Sequence, residues 1–274
     1  MDPEETVRKI EEVEIQGATE IARKSVELLK RMEEEDVGSE RIEEVREELE
    51  KSRPTEPLLF NAIEKTRKGD YGPVLDHIES SRDAIASTGS ELVDDGDIIY
   101  THCHSSTVEK VLEKAFEDRD FTVRVTETRP LYQGRKTAGN LSERGVPVEF
   151  YVDSAAGKAL EDADAMFIGA DAVTPEGVIN KIGSGLFSFA SERLNVPLYV
   201  FTDSWKFTRD VEIEDRPAEE VWEGPPENVD VMNSAFETVP LENVERIVSE
   251  MGVDSPKGFI GSVQEEYPEV YRYG

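Results

Sequence analysis

Residues 97–111 read Asp-Ile-Ile-Tyr-Thr-His-Cys-His-Ser-Ser-Thr-Val-Glu-Lys-Val, and this stretch decides the fold. Asp97 to Cys103 is a β-branched and aromatic run of the kind that forms a short buried strand. Ser106 and Glu109 then fit a capping box, in which a serine and a glutamate three residues later satisfy the first amides of a helix. A strand followed directly by a helix is the repeating unit of a parallel α/β sheet.

The same alternation continues beyond this unit. Further strand-like runs are Phe121 to Thr128, Val146 to Asp153, Ala165 to Asp171 and Val196 to Asp203, with helical stretches between them. Strands that alternate with helices of about 10 to 15 residues favour βαβ units. The pattern predicts an α/β, Rossmann-like parallel sheet domain over residues 93–274. Because no Gly-x-Gly-x-x-Gly follows the first strand, a dinucleotide site is not indicated.

Residues 1–92 have a different pattern, with apolar side chains recurring at helical spacing among many charges. One such face consists of Ile21, Ser25, Leu28 and Leu29. We predict a smaller all-helical N-terminal domain of four or five helices, one of them opened by Pro54. The turn-rich residues 88–96 mark the boundary, and the last part of the chain is expected to be a loop-rich closure.

The charge of the chain excludes some functions. Acidic residues outnumber basic ones 61 to 31, giving a net charge of −30 that is spread along the whole length. Binding of nucleic acid or an anionic membrane needs a surplus of Lys and Arg, so neither partner is expected. No window approaches the ~18 apolar residues of a membrane span, and we expect a cytoplasmic protein. Such acidity is typical of proteins that stay soluble in high salt.

Cys103, the one cysteine of the chain, lies between His102 and His104. Strand alternation would place His102 on the face opposite Cys103, so we expect no shared metal site. The start of the following helix would favour the thiolate and lower the pKa of Cys103, and a protonated His104 would add to this. The alternative is that Cys103 is a small buried apolar residue. The local sequence leaves both interpretations open.

Two later segments are candidate anion sites. The first, residues 129–136, has three cations and no acid, namely Arg129, Arg135 and Lys136. Gly134 precedes a helix whose amides could bind a phosphate, although salt bridges to the acidic surface are the alternative use of these cations. The second segment has Lys181 just before Gly183-Ser184-Gly185, which again suits a phosphate at a helix start.

Asp171 follows an apolar strand in this second segment. Partial burial there would raise the pKa of its carboxyl group and suit it to general acid catalysis. The ordinary alternative is a turn or helix-capping role.

Several motifs, in order along the chain, resemble the superfamily that joins sugar-1-phosphate isomerases to the regulatory subunits of translation initiation factor 2B. The motifs are Arg53-Pro54-Thr55, Thr101-His-Cys-His-Ser105, Thr126-Glu-Thr-Arg-Pro130 with Gln133-Gly134, Val152-Asp-Ser-Ala-Ala156, Gly169-Ala-Asp171, Asn180-Lys-Ile-Gly183 and Trp205-Lys-Phe207. The isomerases use a Cys and an Asp at the positions of Cys103 and Asp171, and the regulatory subunits commonly lose one or both. Among the branches, the archaeal ribose-1,5-bisphosphate isomerases are the most similar, and the acidity would suit a salt-loving archaeon.

The resemblance implies catalytic residues Cys103 and Asp171. It also implies a set of phosphate-binding residues, to which the local cations add: Gly17, Ala18, Arg53, Arg129, Gln133, Arg135, Lys136, Asn180 and Lys181. One departure concerns an Arg-Gly-Ala segment that binds phosphate in the isomerases, since this chain has Gln16-Gly17-Ala18 there. The missing cation puts affinity or substrate identity in question.

The implied reaction converts ribose 1,5-bisphosphate to ribulose 1,5-bisphosphate, as in archaeal nucleotide degradation, and requires no metal or other cofactor. Two alternatives stay open: a non-catalytic regulatory subunit related to initiation factor 2B, and a methylthioribose-1-phosphate isomerase. The expected partner is a phosphorylated pentose. A homo-oligomer, either a dimer or a trimer of dimers, is also expected.

Overall fold

A computed structural model of the chain describes residues 2–12, 14–15, 17–213 and 215–268. The α-helices in this part are α1 (Pro3–Glu11), α2 (Ala18–Glu34), α3 (Ser39–Ser52), α4 (Pro57–Thr66), α5 (Tyr71–Ser90), α6 (Ser106–Phe116), α7 (Gln133–Glu143), α8 (Ala156–Leu160), α9 (Ser184–Leu194) and α10 (Pro256–Glu266). The strands are β1 (Ile98–Thr101), β2 (Thr122–Thr126), β3 (Val148–Tyr151), β4 (Ala165–Gly169), β5 (Ala172–Val173), β6 (Gly177–Lys181), β7 (Leu198–Phe201), β8 (Phe236–Pro240), β9 (Arg246–Ser249) and β10 (Gly252–Asp254).

The central sheet has seven strands in the order β10-β9-β7-β4-β1-β2-β3. All neighbours are parallel except β9 and β10, which are antiparallel. Read from β3, the order of the parallel strands is that of a doubly wound Rossmann sheet. The strand order reverses between β1 and β4, because β2 and β3 lie on one side of β1 and β4 lies on the other. The predicted α/β, Rossmann-like fold is confirmed.

The predicted strands are present but shorter than the sequence patterns suggested. The first was expected to reach Cys103 and ends at Thr101, and the fourth was expected to reach Asp171 and ends at Gly169. Polar residues at the carboxyl end of a strand continue the sequence pattern without continuing the hydrogen-bonded ladder. As a result, Cys103 and Asp171 lie in the turns beyond the sheet.

In the described residues of the amino-terminal part there are five helices, α1 to α5, as predicted. Their shared core contains Ile21, Leu28 and Leu29, all almost fully buried. The prediction that Pro54 opens a helix is wrong, because α4 begins at Pro57, which takes the first helical position where a missing N–H costs nothing.

Helix α5 contributes to two cores. Its first half, with Val74 and Ile78, packs among the amino-terminal helices. Its second half, with Ile85 and Ala86, packs against α6 and one face of the central sheet. The boundary predicted at residue 92 therefore stays a prediction, since the helix just before it belongs to both parts.

The final part of the chain has more structure than predicted. Strand β8 pairs with β6 and completes a separate antiparallel sheet with the earlier strands β5 and β6, and β9, β10 and α10 complete the central sheet and cover one of its faces. The small sheet lies directly after β4, so it places residues 177–181 close to the carboxyl ends of β1 and β4. Within the described ranges, no helix is both long enough and apolar enough to cross a membrane.

Candidate active site

A cleft opens where the carboxyl ends of β1 and β4 meet the amino-terminal helices. Its lining includes Cys103 and Asp171, which follow these two strands, and Gly17 and Ala18 at the start of α2. In an open parallel sheet, the reversal of strand order leaves a crevice at this point because the neighbouring crossovers run to opposite faces. The two residues expected to be catalytic are therefore brought together at the position that the fold favours for ligands.

Cys103 lies half-buried in the turn between β1 and α6. Its backbone has φ 70°, and its amide donates to Thr128 Oγ1 at 2.9 Å. Burial raises the pKa of the Cys103 thiol to about 12, with Lys181 opposing and Asp171 adding to the rise. The expected lowering of this pKa is contradicted, because removing the thiolate from water outweighs the effect of the nearby helix start.

The capping box is also displaced by one residue. Ser105, not Ser106, is the N-cap of α6, and its side chain accepts from the Val108 amide at 3.4 Å. Glu109 consequently lies one position too far along the helix to complete the box, and one of its carboxylate oxygens instead accepts from Asn140 Nδ2 at 2.8 Å.

His102 is fixed in the neutral form by its two hydrogen bonds. Its Nε2 lies 2.9 Å from the Ile182 carbonyl oxygen, which can only accept, so this nitrogen carries the proton. Its Nδ1 then accepts from Thr126 Oγ1 at 2.9 Å. Burial lowers the pKa of His102 to about 4. His102 therefore links β1, β2 and the loop after β6, and supplies no positive charge to the thiol.

His104 has a different environment. Its Nδ1 lies 3.1 Å from Thr137 Oγ1 and 3.1 Å from Glu109 Oε2, and His104 is among the residues that line the cleft.

Asp171 occupies the turn between β4 and β5, with its backbone amide bonded to the Ile179 carbonyl oxygen at 2.9 Å. Beside it, the α6 turn lies very close to the end of β4. A side chain at Gly169 would meet Ser105 Oγ at 2.4 Å. Only glycine lets the two strand ends approach each other closely enough to share one cleft.

Among the residues that the structure describes, four cations line the cleft: Arg53, Lys181, Lys206 and Arg216. Lys181 and Lys206 are buried, and Lys206 Nζ donates to the Ala170 carbonyl oxygen at 2.6 Å. Arg216 is held by Glu220 Oε1 at 2.7 Å. Buried ammonium and guanidinium groups are costly to desolvate, so their convergence on a cleft suits an anionic ligand.

The polar lining adds uncharged groups. Asn180 donates to Ser184 Oγ at 2.8 Å, and Gln133 has a buried Oε1 without a hydrogen-bond partner among the described residues. The start of α2 at Gly17, where no side chain caps the helix, also faces the cleft. Its first amides are thus available to an anion.

Three of the predicted phosphate-binding cations lie outside the cleft lining: Arg129, Arg135 and Lys136. Arg129 donates to Tyr132 Oη at 2.7 Å and to the Val221 carbonyl oxygen at 3.0 Å, whereas Arg135 pairs with Glu127 at 3.3 Å. Lys136 is exposed. For Arg135, the structure favours the alternative of an ion pair to a surface acid.

Neither glycine segment offers the phosphate cradle that was predicted. The Gly134 amide donates to the Glu127 carbonyl oxygen at 3.2 Å. At the start of α9, Glu237 Oε1 accepts from the amides of Gly183 at 2.5 Å and Gly185 at 2.8 Å. A carboxylate of the chain itself already occupies the position expected for a bound anion.

The model of the initiation factor 2 subunit family matches residues 70–256. The chain belongs to this family. A relative from Pyrococcus furiosus named ribose 1,5-bisphosphate isomerase is 33% identical, over 98% of this chain and 95% of the relative. The solved structure of translation initiation factor eIF-2B from Pyrococcus horikoshii is 30% identical, with a TM-score of 0.83 over 93% of this chain and 97% of the other. The solved 5-methylthioribose 1-phosphate isomerase of Pyrococcus horikoshii, 22% identical with a TM-score of 0.79, shares the fold over 97% of this chain and 88% of the other.

Within this member of the initiation factor 2 subunit family, the sequence prediction missed three Glu, Lys or Arg side chains among the described residues that line the cleft. They are Glu56, Lys206 and Arg216. Lys206 lies in the Trp205-Lys-Phe207 motif, so its motif was a usable signal, whereas Arg216 comes from a loop with no distinctive pattern. Gln16, the position at which the resemblance implied a missing cation, lies outside the described residues.

A second polar cluster, outside the cleft, has the residue types of a metal site. His77, Asp203 and Glu250 bring one ligand atom each to within 4.8 Å of one another. These atoms already have partners in the protein: Asp203 accepts from Ser81 at 2.5 Å and from the Trp205 amide at 2.8 Å, and lies 3.1 Å from His77. A cation would have to displace these bonds, so the cluster is better described as a hydrogen-bonded support for residues 203–206.

Proposed function

We propose that this chain is an isomerase that converts ribose 1,5-bisphosphate to ribulose 1,5-bisphosphate. The main support is the convergence of Cys103, Asp171 and four cations in one cleft at the switch point of the sheet. A sugar with two phosphates carries enough negative charge to use several buried cations and an uncapped helix start. The name of the relative from Pyrococcus furiosus supports the same substrate.

The chemistry begins at the ring oxygen. A phosphate on carbon 1 prevents the sugar from opening to a free aldehyde, so the bond between carbon 1 and the ring oxygen must break in the phosphorylated sugar. Asp171, acting as a general acid, gives its proton to the ring oxygen as this bond breaks. The electron deficiency left at carbon 1 makes the hydrogen on carbon 2 acidic.

Cys103 completes the shift. Its thiolate removes the proton from carbon 2, leaving an enol phosphate with a double bond between carbons 1 and 2. The thiol then returns this proton to carbon 1, while Asp171 accepts the proton of the hydroxyl group on carbon 2. The product is the ketose, and both side chains are back in their starting states. Lys181, close enough to oppose the rise in the pKa of Cys103, also favours the thiolate.

The reaction is tested by incubating the purified protein with ribose 1,5-bisphosphate in high salt and following ketose formation. Cys103→Ser and Asp171→Asn should each reduce turnover by at least about 100-fold, as expected for loss of an acid or base. An unchanged rate in either variant would refute its role. Absence of turnover by the unmodified protein, with this sugar and with methylthioribose 1-phosphate, would refute the enzymatic proposal.

The two alternatives make different predictions. A regulatory subunit would bind an initiation factor without turnover, and a pull-down from extract tests this; retention of both Cys103 and Asp171 is against it. Methylthioribose 1-phosphate carries one phosphate, which leaves part of the cationic lining unused. Competition between the two sugars for the same enzyme separates these substrates.

We further propose a cytoplasmic homo-oligomer, a dimer or a trimer of dimers, that works in nucleotide degradation in a salt-loving archaeon. Support for oligomerisation comes from apolar side chains exposed on α9 and at the β3 edge, namely Leu186, Phe189, Phe150 and Val152. The net charge of −30 supports a high-salt environment, where self-repulsion is screened. Light scattering in molar salt would give the number of subunits.

A further inference from the structure

Three residues in the turns after β1 and β2 have a backbone conformation that their side chains disfavour. Among the described residues, six that are not glycine have a positive φ, and three of these are Asp or Asn, which adopt this conformation comparatively often. The other three are Cys103 (φ 70°), Thr128 (φ 60°) and Tyr132 (φ 57°). Left-handed backbone is least favourable for a β-branched residue such as Thr128. Such residues persist only where the surrounding structure holds them, and they cluster at functional sites.

Cys103 and Thr128 are joined by a hydrogen bond. The Cys103 amide donates to Thr128 Oγ1 at 2.9 Å, and the Thr128 hydroxyl donates in turn to the Thr126 carbonyl oxygen at 3.3 Å. This second bond fixes the rotation of the hydroxyl group, which leaves a lone pair for the Cys103 amide. Because Thr128 is fully buried, loss of its hydroxyl would leave the Cys103 amide without this acceptor.

Thr128 is held in turn by a carboxylate that follows the next strand of the sheet. Asp153 comes directly after β3, in the Val152-Asp-Ser-Ala-Ala156 motif. Its Oδ1 accepts from the Thr128 amide at 2.8 Å, and its Oδ2 accepts from the Arg129 amide at 2.7 Å. Hydrogen bonds to an ionised carboxylate are stronger than those between neutral groups, so this pair fixes the left-handed turn at Thr128. A chain of contacts therefore runs from the end of β3 through Thr128 to Cys103.

The φ angle of Cys103 determines where its sulfur lies. A change from φ 70° to the ordinary negative range is a rotation of more than about 100° about the N–Cα bond. Such a rotation changes the direction of the Cα–Cβ bond relative to β1. In the observed conformation the sulfur is buried and lies within range of the charges of Lys181 and Asp171. Displacement of a reacting group by about an ångström costs about 100-fold in rate, so the left-handed conformation matters for the reaction.

On this geometry, and resting on the proposed isomerase function, we propose that Thr128 and Asp153 are positioning residues for Cys103. Thr128 keeps Cys103 in the left-handed conformation from which its thiol reaches carbon 2 of the sugar, and Asp153 keeps Thr128 in place. Neither Thr128 nor Asp153 is among the residues that line the cleft, so both act through Cys103.

The first test asks, without substrate, whether Thr128 sets the conformation of residue 103. Cys103→Gly and Cys103→Ala are compared by thermal unfolding, once in the otherwise unmodified protein and once together with Thr128→Val. Glycine adopts φ 70° without steric cost and alanine does not, so Cys103→Gly should have a Tm about 2–4 °C higher. With Thr128→Val, residue 103 is released, and the difference should vanish or reverse because glycine gives the unfolded chain more freedom. An equal difference in both backgrounds would overturn the proposal.

The second test measures ketose formation from ribose 1,5-bisphosphate. Thr128→Val should lower kcat by about 100-fold and leave KM nearly unchanged, because the thiol is displaced while the cations of the cleft are not. Thr128→Ser keeps the acceptor oxygen and should retain most of the activity. The matched control is Thr122→Val, at the other end of β2, which should leave kcat unchanged. If Thr128→Val has the same kcat as this control, the proposal is wrong.

Asp153→Asn replaces Thr128→Val in both tests if Thr128→Val does not fold, as judged by circular dichroism. The single carbonyl oxygen of asparagine cannot replace both carboxylate oxygens, so Cys103 should be held less firmly. We then expect a smaller Tm difference between Cys103→Gly and Cys103→Ala together with a lower kcat, and unchanged values of both would refute the positioning role. Absence of turnover in the unmodified protein would reject the isomerase function, whereas the Tm comparison would still decide whether Thr128 holds Cys103.

Discussion

Replacement of Gly134 by alanine should destabilise the protein, because α7 packs directly on the backbone of β2. A Cβ atom at this position would lie 1.8 Å from the Thr126 carbonyl oxygen and 3.1 Å from the Glu127 carbonyl carbon. The obstacle is backbone, which cannot rotate away as a side chain would. Even a tight contact of 3.0 Å requires the helix to withdraw by about 1.2 Å.

The loss in free energy of unfolding for Gly134→Ala follows from this displacement. Overpacking a well-packed site costs about 1–3 kcal/mol, and the hydrogen bond from the Gly134 amide to Glu127, worth about 1 kcal/mol, would be strained as well. Alanine has a better helix propensity than glycine, and this offsets up to about 1 kcal/mol of the destabilisation. We expect a net loss of about 2–3 kcal/mol, or a decrease in Tm of roughly 5–10 °C for a chain of this size.

Thermal unfolding followed by circular dichroism in molar salt measures this loss. Gly139→Ala is the matched control, since Gly139 lies on the same helix with nothing within 4 Å of its added Cβ; its Tm should rise slightly. Because α7 carries Thr137, which holds the Cys103 carbonyl oxygen, withdrawal by an ångström should also reduce turnover by about 100-fold. A Tm for Gly134→Ala equal to or above that of the unmodified protein would refute the reasoning.

Two further predictions concern buried polar groups. The pKa of His102 is lowered from 6.5 to about 4 in the folded protein, so below pH 6.5 the unfolded chain binds a proton that the native state excludes. The free energy of unfolding should thus fall by roughly 3 kcal/mol between about pH 6.5 and pH 4, and denaturant titrations of His102→Gln should show a shallower fall; parallel curves would contradict this. Glu237→Gln, which weakens the bonds to the amides of Gly183 and Gly185, should cost about 1–2 kcal/mol in urea unfolding and leave KM unchanged. A large rise in KM would instead indicate that the start of α9 contacts a substrate phosphate.

Local patterns were sufficient to predict the sheet. The runs beginning at Asp97, Phe121, Val146, Ala165 and Val196 each contain a strand, because alternation and β-branching act within a few residues. The position of Cys103 and Asp171 at one edge followed from the rule that parallel strands end on the same side. Sequence patterns of this kind carry no information about what packs over the strand ends.

The properties that sequence could not supply come from distant segments. The direction of the pKa shift at Cys103 depends on burial beneath the lining of the cleft, to which α2, Lys206, Arg216 and Phe236 contribute. The start of α9 is occupied by Glu237, 54 residues away in the chain from Gly183. Arg129 is engaged by Val221 at a separation of 92 residues. At the start of α9 and at Arg129, a residue distant in sequence occupies the position where the local pattern suggested a bound anion.

The shared helix α5 has a consequence for how the protein unfolds and how it evolves. Its last turn fits so closely against the sheet that a side chain on Gly89 would meet Phe201 at 2.6 Å and Val111 at 3.0 Å. Cutting the chain near residue 92 would separate α5 from the sheet. In the carboxyl-terminal fragment, Val111 and Phe201 would lose their apolar contacts with α5. In the amino-terminal fragment, the second half of α5 would have no apolar surface to pack against. The two cores should therefore melt in one cooperative transition, and the amino-terminal helices should be inherited together with the sheet rather than exchanged between relatives as an independent module.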